Sequence, residues 1–171
     1  MVNQTVDKAM PNYVLGVDPG TTESASCLID TRTGTIEHYC KVPNEEALEC
    51  VSVVNGQDQT ALFIEMFASY GMPVGRDVFT TCLWIGQLYR EWDRRVDKWG
   101  KPALVYRKDV VLHHCHSRRA KDANIRRAML DRFGEQGTKK APGPTYGISK
   151  DVWSALAIAA YGVDTLRGVT P

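Results

Sequence analysis

Three carboxylates stand at positions where a carboxylate is costly. Asp18 ends the apolar run Tyr13–Val17 (YVLGV) at an Asp-Pro-Gly. Glu65 interrupts a run of Ala61, Leu62, Phe63, Ile64, Met66 and Phe67. Asp151 opens an otherwise apolar stretch near the C-terminus. An unpaired buried carboxylate costs several kcal/mol, so such groups are paired or bind a cation. A hard divalent ion such as Mg²⁺ takes oxygen ligands of this kind. Two such ions roughly 3.5–4 Å apart activate water and stabilise the leaving oxygen in phosphodiester cleavage. Plainer readings exist for two of the acids. Asp18 can stabilise its own turn, and Asp151 at the start of a helix is favourable against the dipole. Glu65 has little structural reason to be where it is.

The three acids lie on separate elements, so only the fold can join them. Tyr13–Val17, Ser24–Ile29 and Thr35–Val42 read as strands, with Asp30–Gly34 a hairpin-length link between the second and third. Asn44–Val54 starts on an N-cap residue, carries Glu45 and Glu46 in its first turn, and reads as a helix. Thr60–Phe67 reads as a buried strand and Ala103–Tyr106 as a short one. Asp77–Trp99 is the longest helix, with Val78, Cys82, Ile85, Tyr89 and Trp92 on one face and Phe79, Leu83, Gly86 and Leu88 turned away from it. That second apolar surface predicts a homodimer. Ala120–Phe133 is a basic helix, 134–147 a flexible basic loop, and Ser149 caps a last helix over 150–162. Three hairpin-linked strands followed by two crossover strands predict an α/β fold. Its five-stranded mixed sheet has three antiparallel strands plus two parallel, with helices on both faces.

At 171 residues the chain is expected to form a single domain over 1–171, with 1–12 a flexible extension. Hydrophobic residues at 43% and charged residues at 24% exclude disordered and low-complexity classes. No run approaches the ~20 apolar residues of a membrane helix. The first residues resemble neither a signal nor a transit peptide. Five cysteines (Cys27, Cys40, Cys50, Cys82, Cys115), an odd number without a CxxC, favour a reducing compartment, and a cytoplasmic location is expected.

The net charge of +1 hides an asymmetry. Residues 1–70 carry 3 basic against 10 acidic residues, whereas 71–171 carry 18 basic against 10 acidic. The excess peaks over 98–140, with 12 basic and 4 acidic. This is the footprint of a polyanion binder. His113-His114-Cys115-His116 sits inside it. Adjacent residues cannot all reach one ion, so a polar, partly cationic approach to DNA is favoured over zinc.

Taken together, GVDPGTTESASCLID, FIEMF and DVWSALAIAAYG resemble the RuvC-type Holliday junction resolvases of the ribonuclease H-like superfamily. The matched motifs span 13–162 in the family's order. The resemblance implies a ribonuclease H-like fold and a metal-dependent endonuclease for Holliday junctions or other branched DNA. It implies Asp18, Glu65 and Asp151 as catalytic metal ligands for two Mg²⁺ per site, with Mn²⁺ as a substitute. It also implies Phe67 pointing at the junction, Arg118, Arg119 and Lys121 on the phosphate backbone, and the long helix pairing two subunits. Arg107, Lys108, Lys139 and Lys140 join the DNA-binding set from the basic stretch. The family places two acidic or imidazole ligands three residues apart on the last helix, and here the position three after Asp151 is Ser154. Either the fourth ligand is absent, or Asp151 occupies the second slot, or His113, His114 or His116 supplies a nitrogen from elsewhere.

Rival readings remain at this point. GVDPGTTES also resembles the first phosphate loop of sugar and acetate kinases, which need two such domains to enclose a nucleotide. A non-catalytic nucleic-acid-binding module uses the basic patch but not Glu65. A ribonuclease H acting on RNA/DNA hybrids shares the same mechanism.

Overall fold

The computed structural model describes residues 10–54, 59–69, 71, 73–94 and 99–169, without the side chains of 50 and 52–54. Strands β1 (Tyr13–Pro19), β2 (Glu23–Asp30) and β3 (Ile36–Pro43) form an antiparallel meander. After helix α1 (Asn44–Val54), β4 (Thr60–Met66) joins β1 in parallel. After α2 (Arg76–Asp93), β5 (Ala103–Tyr106) joins β4 in parallel. Helices α3 (Arg107–Cys115), α4 (Asp122–Phe133) and α5 (Val152–Leu166) follow. The strand order is β3-β2-β1-β4-β5, the mixed sheet the sequence predicts. Among the described residues no helix is long and apolar enough to cross a membrane.

The period of two in a strand divides the core into two layers. Leu15, Val17, Leu62 and Ile64 face α1 and α2. Val14, Ala25, Cys27, Ala61, Phe63 and Val105 face the opposite layer, where α5 lies against the sheet with α3 and α4. Helix α5 is buried along most of its length, and its run of alanines lets it approach closely. Gly16 is required beneath it, because a Cβ there would meet the Ala155 carbonyl and the Ala159 nitrogen at 2.4 Å. Gly162 is required one level on, because its Cβ would strike the Phe63 ring at 2.7 Å. These two contacts fix the height and direction of α5 over β1 and β4.

Several elements depart from expectation. Helix α2 ends at Asp93, and 95–98 lie outside the described residues. Its inward face is Thr81, Trp84, Ile85, Leu88 and Trp92, while Val78, Cys82 and Tyr89 are only half-buried. Leu88 is therefore core and not part of the outer face. The helix is apolar on two sides, so composition alone could not choose the inner one. The Trp84 indole chooses it, donating from Nε1 to Ser24 Oγ at 2.8 Å. Helix α3 is absent from the sequence reading. Only Val110 and Val111 are buried in it, too few to show a helical period. The 134–147 segment is pinned, not flexible: Gln136 Nε2 donates to Ile148 O at 2.7 Å and Thr145 Oγ1 to Gly134 O at 2.9 Å. The Ser149 hydroxyl does not cap α5. Its carbonyl accepts from Val152 N, and the intervening Lys150 adopts the left-handed region at φ 47°.

Candidate active site

The pleat carries two of the acids to one place. Gly16 and Asp18 share a face of β1, and Phe63 and Glu65 share a face of β4. Val17 is the register partner of Ile64, so the next residues on the two parallel strands, Asp18 and Glu65, are neighbours on the α5 side at the strands' C-terminal ends. Because α5 runs over Gly16, its first turn hangs above the same spot and brings Asp151 to it. Asp18 and Glu65 of the expected trio therefore meet, and Asp151 stands near enough for its charge to act on Asp18.

Its electrostatics show the strain. Asp18 is pushed up to about 8 from 3.8, first by burial, then by the charge of Glu65 and a hydrogen bond with it, then by the charge of Asp151, with Arg107 pulling the other way. Asp18 thus tends to keep its proton unless a cation offsets its neighbours. Glu65 is 7% exposed and, besides its hydrogen bond with Asp18, reaches the Arg107 guanidinium at 3.6 Å. Asp151 is open to solvent and pairs with Lys41 at 2.8 Å. Lys41 also meets Glu23 at 3.3 Å, and these two partners hold its ammonium more firmly charged than usual. An all-oxygen donor set, half-buried and short of cations, fits a hard divalent ion.

The turn beside Asp18 is anchored from three sides. Gly20 N donates to Glu23 O at 3.0 Å. Asn44 donates to the carbonyls of Gly20 and Thr21 at 3.2 Å, while Ser24 Oγ donates to Asn44 Oδ1 at 2.8 Å. The side chain expected to cap α1 is thus spent on fixing the loop that follows β1.

The remaining predicted residues divide. Arg107 belongs to the acidic site itself: beyond Glu65 it reaches Ser154 Oγ at 3.4 Å and is bonded to Asp122. Phe67 follows β4 and is 40% exposed. Lys108 and Arg118 line a groove of about 280 Å³ with Ala68, Tyr106 and Asp109. Arg119, Lys121, Lys139 and Lys140 are exposed. A larger hollow of about 580 Å³ opens between α4 and the start of α5, walled by Ile125, Arg126, Gln136, Trp153 and Ser154.

Two of the clustered histidines, His113 and His114, are engaged within the fold. His113 Nε2 lies 2.8 Å from Asp164 Oδ2, and His114 Nε2 lies 2.8 Å from Ala157 O. Burial pushes His114 down to about 4, so it is neutral at pH 7 and donates to that carbonyl. Within the 113–116 cluster His116 is the exposed one. Sequence reasoning missed Lys41. The strand rows place Lys41 opposite Ala25, and Ala25 opposite Asp18, but a register between three strands is not readable from one of them.

The five-stranded mixed sheet with α5 over its central strand is an α/β fold of the ribonuclease H-like kind. More closely, it is a RuvC-like fold. It superposes on the structure of Thermus thermophilus RuvC with TM-score 0.57 and 17% identity, over 92% of this chain and 97% of the other. A second T. thermophilus RuvC structure, in complex with Holliday junction substrate, gives TM-score 0.58 and 15% identity, over 92% and 96%. No family model matches the sequence, and no curated protein does.

Proposed function

We propose that this chain is a metal-dependent, structure-selective endonuclease. Its substrate is branched DNA, four-way junctions above all, and its place is in DNA recombination and repair in the cytoplasm. The observation that carries this reading is the meeting of Asp18 and Glu65, with Asp151 near enough for its charge to act on Asp18, at the C-terminal ends of the inner strands β1 and β4 of a RuvC-like sheet, Glu65 being buried there. The solved RuvC complex with a Holliday junction supports the choice of substrate.

Asp18, Glu65 and Asp151 would hold Mg²⁺, or Mn²⁺ in its place. Bound there, the ion supplies a Lewis acid for attack of water on phosphorus. The resemblance implies two ions per site. The chain's own residues do the positioning. The anchored Gly20–Thr22 turn keeps Asp18 in place, Phe67 abuts the opened centre of the junction, and Arg118, Arg119, Lys121, Lys139 and Lys140 take the backbone phosphates. On α2, Phe79 and Leu83 are 60% and 72% exposed, and a Cβ at Gly86 meets nothing within 4 Å. A second copy of α2 across a two-fold axis fits that face and gives two sites for paired nicks.

Incubation with four-way, Y-shaped and linear DNA in Mg²⁺ or EDTA tests the reading. Cleavage should be confined to branched DNA with metal. Asp18→Asn, Glu65→Gln and Asp151→Asn should each lose about 10³-fold or more in rate while still binding junctions in gel shifts. Near-normal cleavage by Glu65→Gln would overturn the mechanism. Light scattering at micromolar concentration should return a dimer for the native chain and a monomer for Leu83→Glu; a native monomer that nicks both strands in one encounter would refute the pairing.

A further inference from the structure

We propose that Arg107 is a built-in cation standing in for a second divalent ion, so that each site of the free protein binds one metal. This rests on the metal-dependent reading above. Met66 pairs with Tyr106, so the chain leaves β5 beside the end of β4, and Arg107 emerges next to Glu65. Its guanidinium is held on three sides: Nη1 lies 3.6 Å from Glu65 Oε1 and 3.4 Å from Ser154 Oγ, and Nη2 donates to Asp122 Oδ1. The flank of Glu65 that faces α5 is therefore filled by a positive group.

Two chemical facts follow. First, α5 offers no charge on that flank. Ser154 lies one turn after Asp151 on the same helix face and brings only a neutral hydroxyl. Second, the guanidinium cannot shed its charge by losing a proton, so it repels a divalent ion at any pH. Lys41 bridges Asp151 at 2.8 Å and Glu23 at 3.3 Å. It can release Asp151 to an ion and remain with Glu23. The flank bounded by Asp18, Glu65 and Asp151 is the one left free to accept metal.

Counting Mn²⁺ on the full-length protein, by the electron paramagnetic resonance signal of the free ion, tests this without activity. The native chain should bind one ion per site. Arg107→Met should bind two, and Arg107→Lys should stay at one. Two ions on the native chain would overturn the inference and leave the nuclease reading standing. No bound ion would overturn the metal-dependent reading itself. A folded Arg107→Met that still binds one would show that the guanidinium is not what sets the number. The native count remains decisive if Arg107→Met does not fold, as judged by its melting curve.

Discussion

The two ends of α5 each carry an acid surrounded by cations, and they are built for opposite purposes. At the C-terminal end, Asp164 accepts from Arg132 at both oxygens, at 2.6 and 2.9 Å, and from His113 at 2.8 Å. Burial works against its charge, but the hydrogen bonds from Arg132 and His113 outweigh it and hold the carboxyl below its usual range. At the N-terminal end, Asp18, Glu65 and Asp151 share two cations, and Asp18 is driven up to about 8. The ends stand thirteen residues apart, roughly 20 Å along the helix. Among the described residues, His113, His114 and Asp164 are the group of three whose ligand atoms lie within 4.8 Å of one another. Arg132 already sits on that carboxylate, so this cluster is a clamp joining α3, α4 and α5. The useful distinction is not how many acids and histidines gather. It is whether each carboxylate oxygen already has a partner.

Substitution should separate the ends. The largest effect belongs to the N-terminal cluster: Glu65→Gln removes cleavage and leaves the melting temperature little changed, because the amide still fits against Arg107. The next belongs to the clamp. Asp164→Asn strands Arg132 and His113 in a half-buried place, at a cost of about 2–3 kcal/mol in stability by urea titration. Cleavage per folded molecule should be unaltered. The sign with pH is fixed by the lowered carboxyl. Its contribution is present above the unfolded value of 3.8 and is lost as pH falls toward its folded value. Native and variant proteins should therefore converge in acid. A folded Asp164→Asn that cannot cut DNA would break the contrast.

The division between the ends was partly legible in the sequence. Sheet order and the acidic trio could be read because strand periodicity and an acid in an apolar run are local signals. Asp164 and His113 were not legible as a pair, since they meet only when α3 packs on α5, and α3 carries too little apolar surface to declare itself. Arg107 was readable as a cation but not as a partner of Glu65, because that contact depends on the β4–β5 register. Lys41 was lost for the same reason two strands away. Charge composition located the basic half of the molecule. It could not say which cations face DNA and which face acids.

The smallest expected effect is the one most particular to the N-terminal cluster. Asp18 is raised in the fold, so between 3.8 and about 8 the native state keeps a proton that the unfolded chain has given up. Stability must then fall as pH rises through that window, opposite to the Asp164 clamp. Asn at this position carries no ionisable proton. In EDTA, Asp18→Asn and the native protein should melt together below pH 4, and the variant should gain as pH rises. By pH 8 the gap should reach on the order of 1–2 kcal/mol, a Tm difference of roughly 3–6 °C. Readjustment of Glu65 and Asp151 keeps it below the full value of the shift. Adding Mg²⁺ should stabilise the native chain and close the gap, since the ion binds only the protein that retains the carboxylate. Melting curves that stay parallel across this pH range would show that the acids at the N-terminal end are as well matched as Asp164, and the comparison between the two ends would fail.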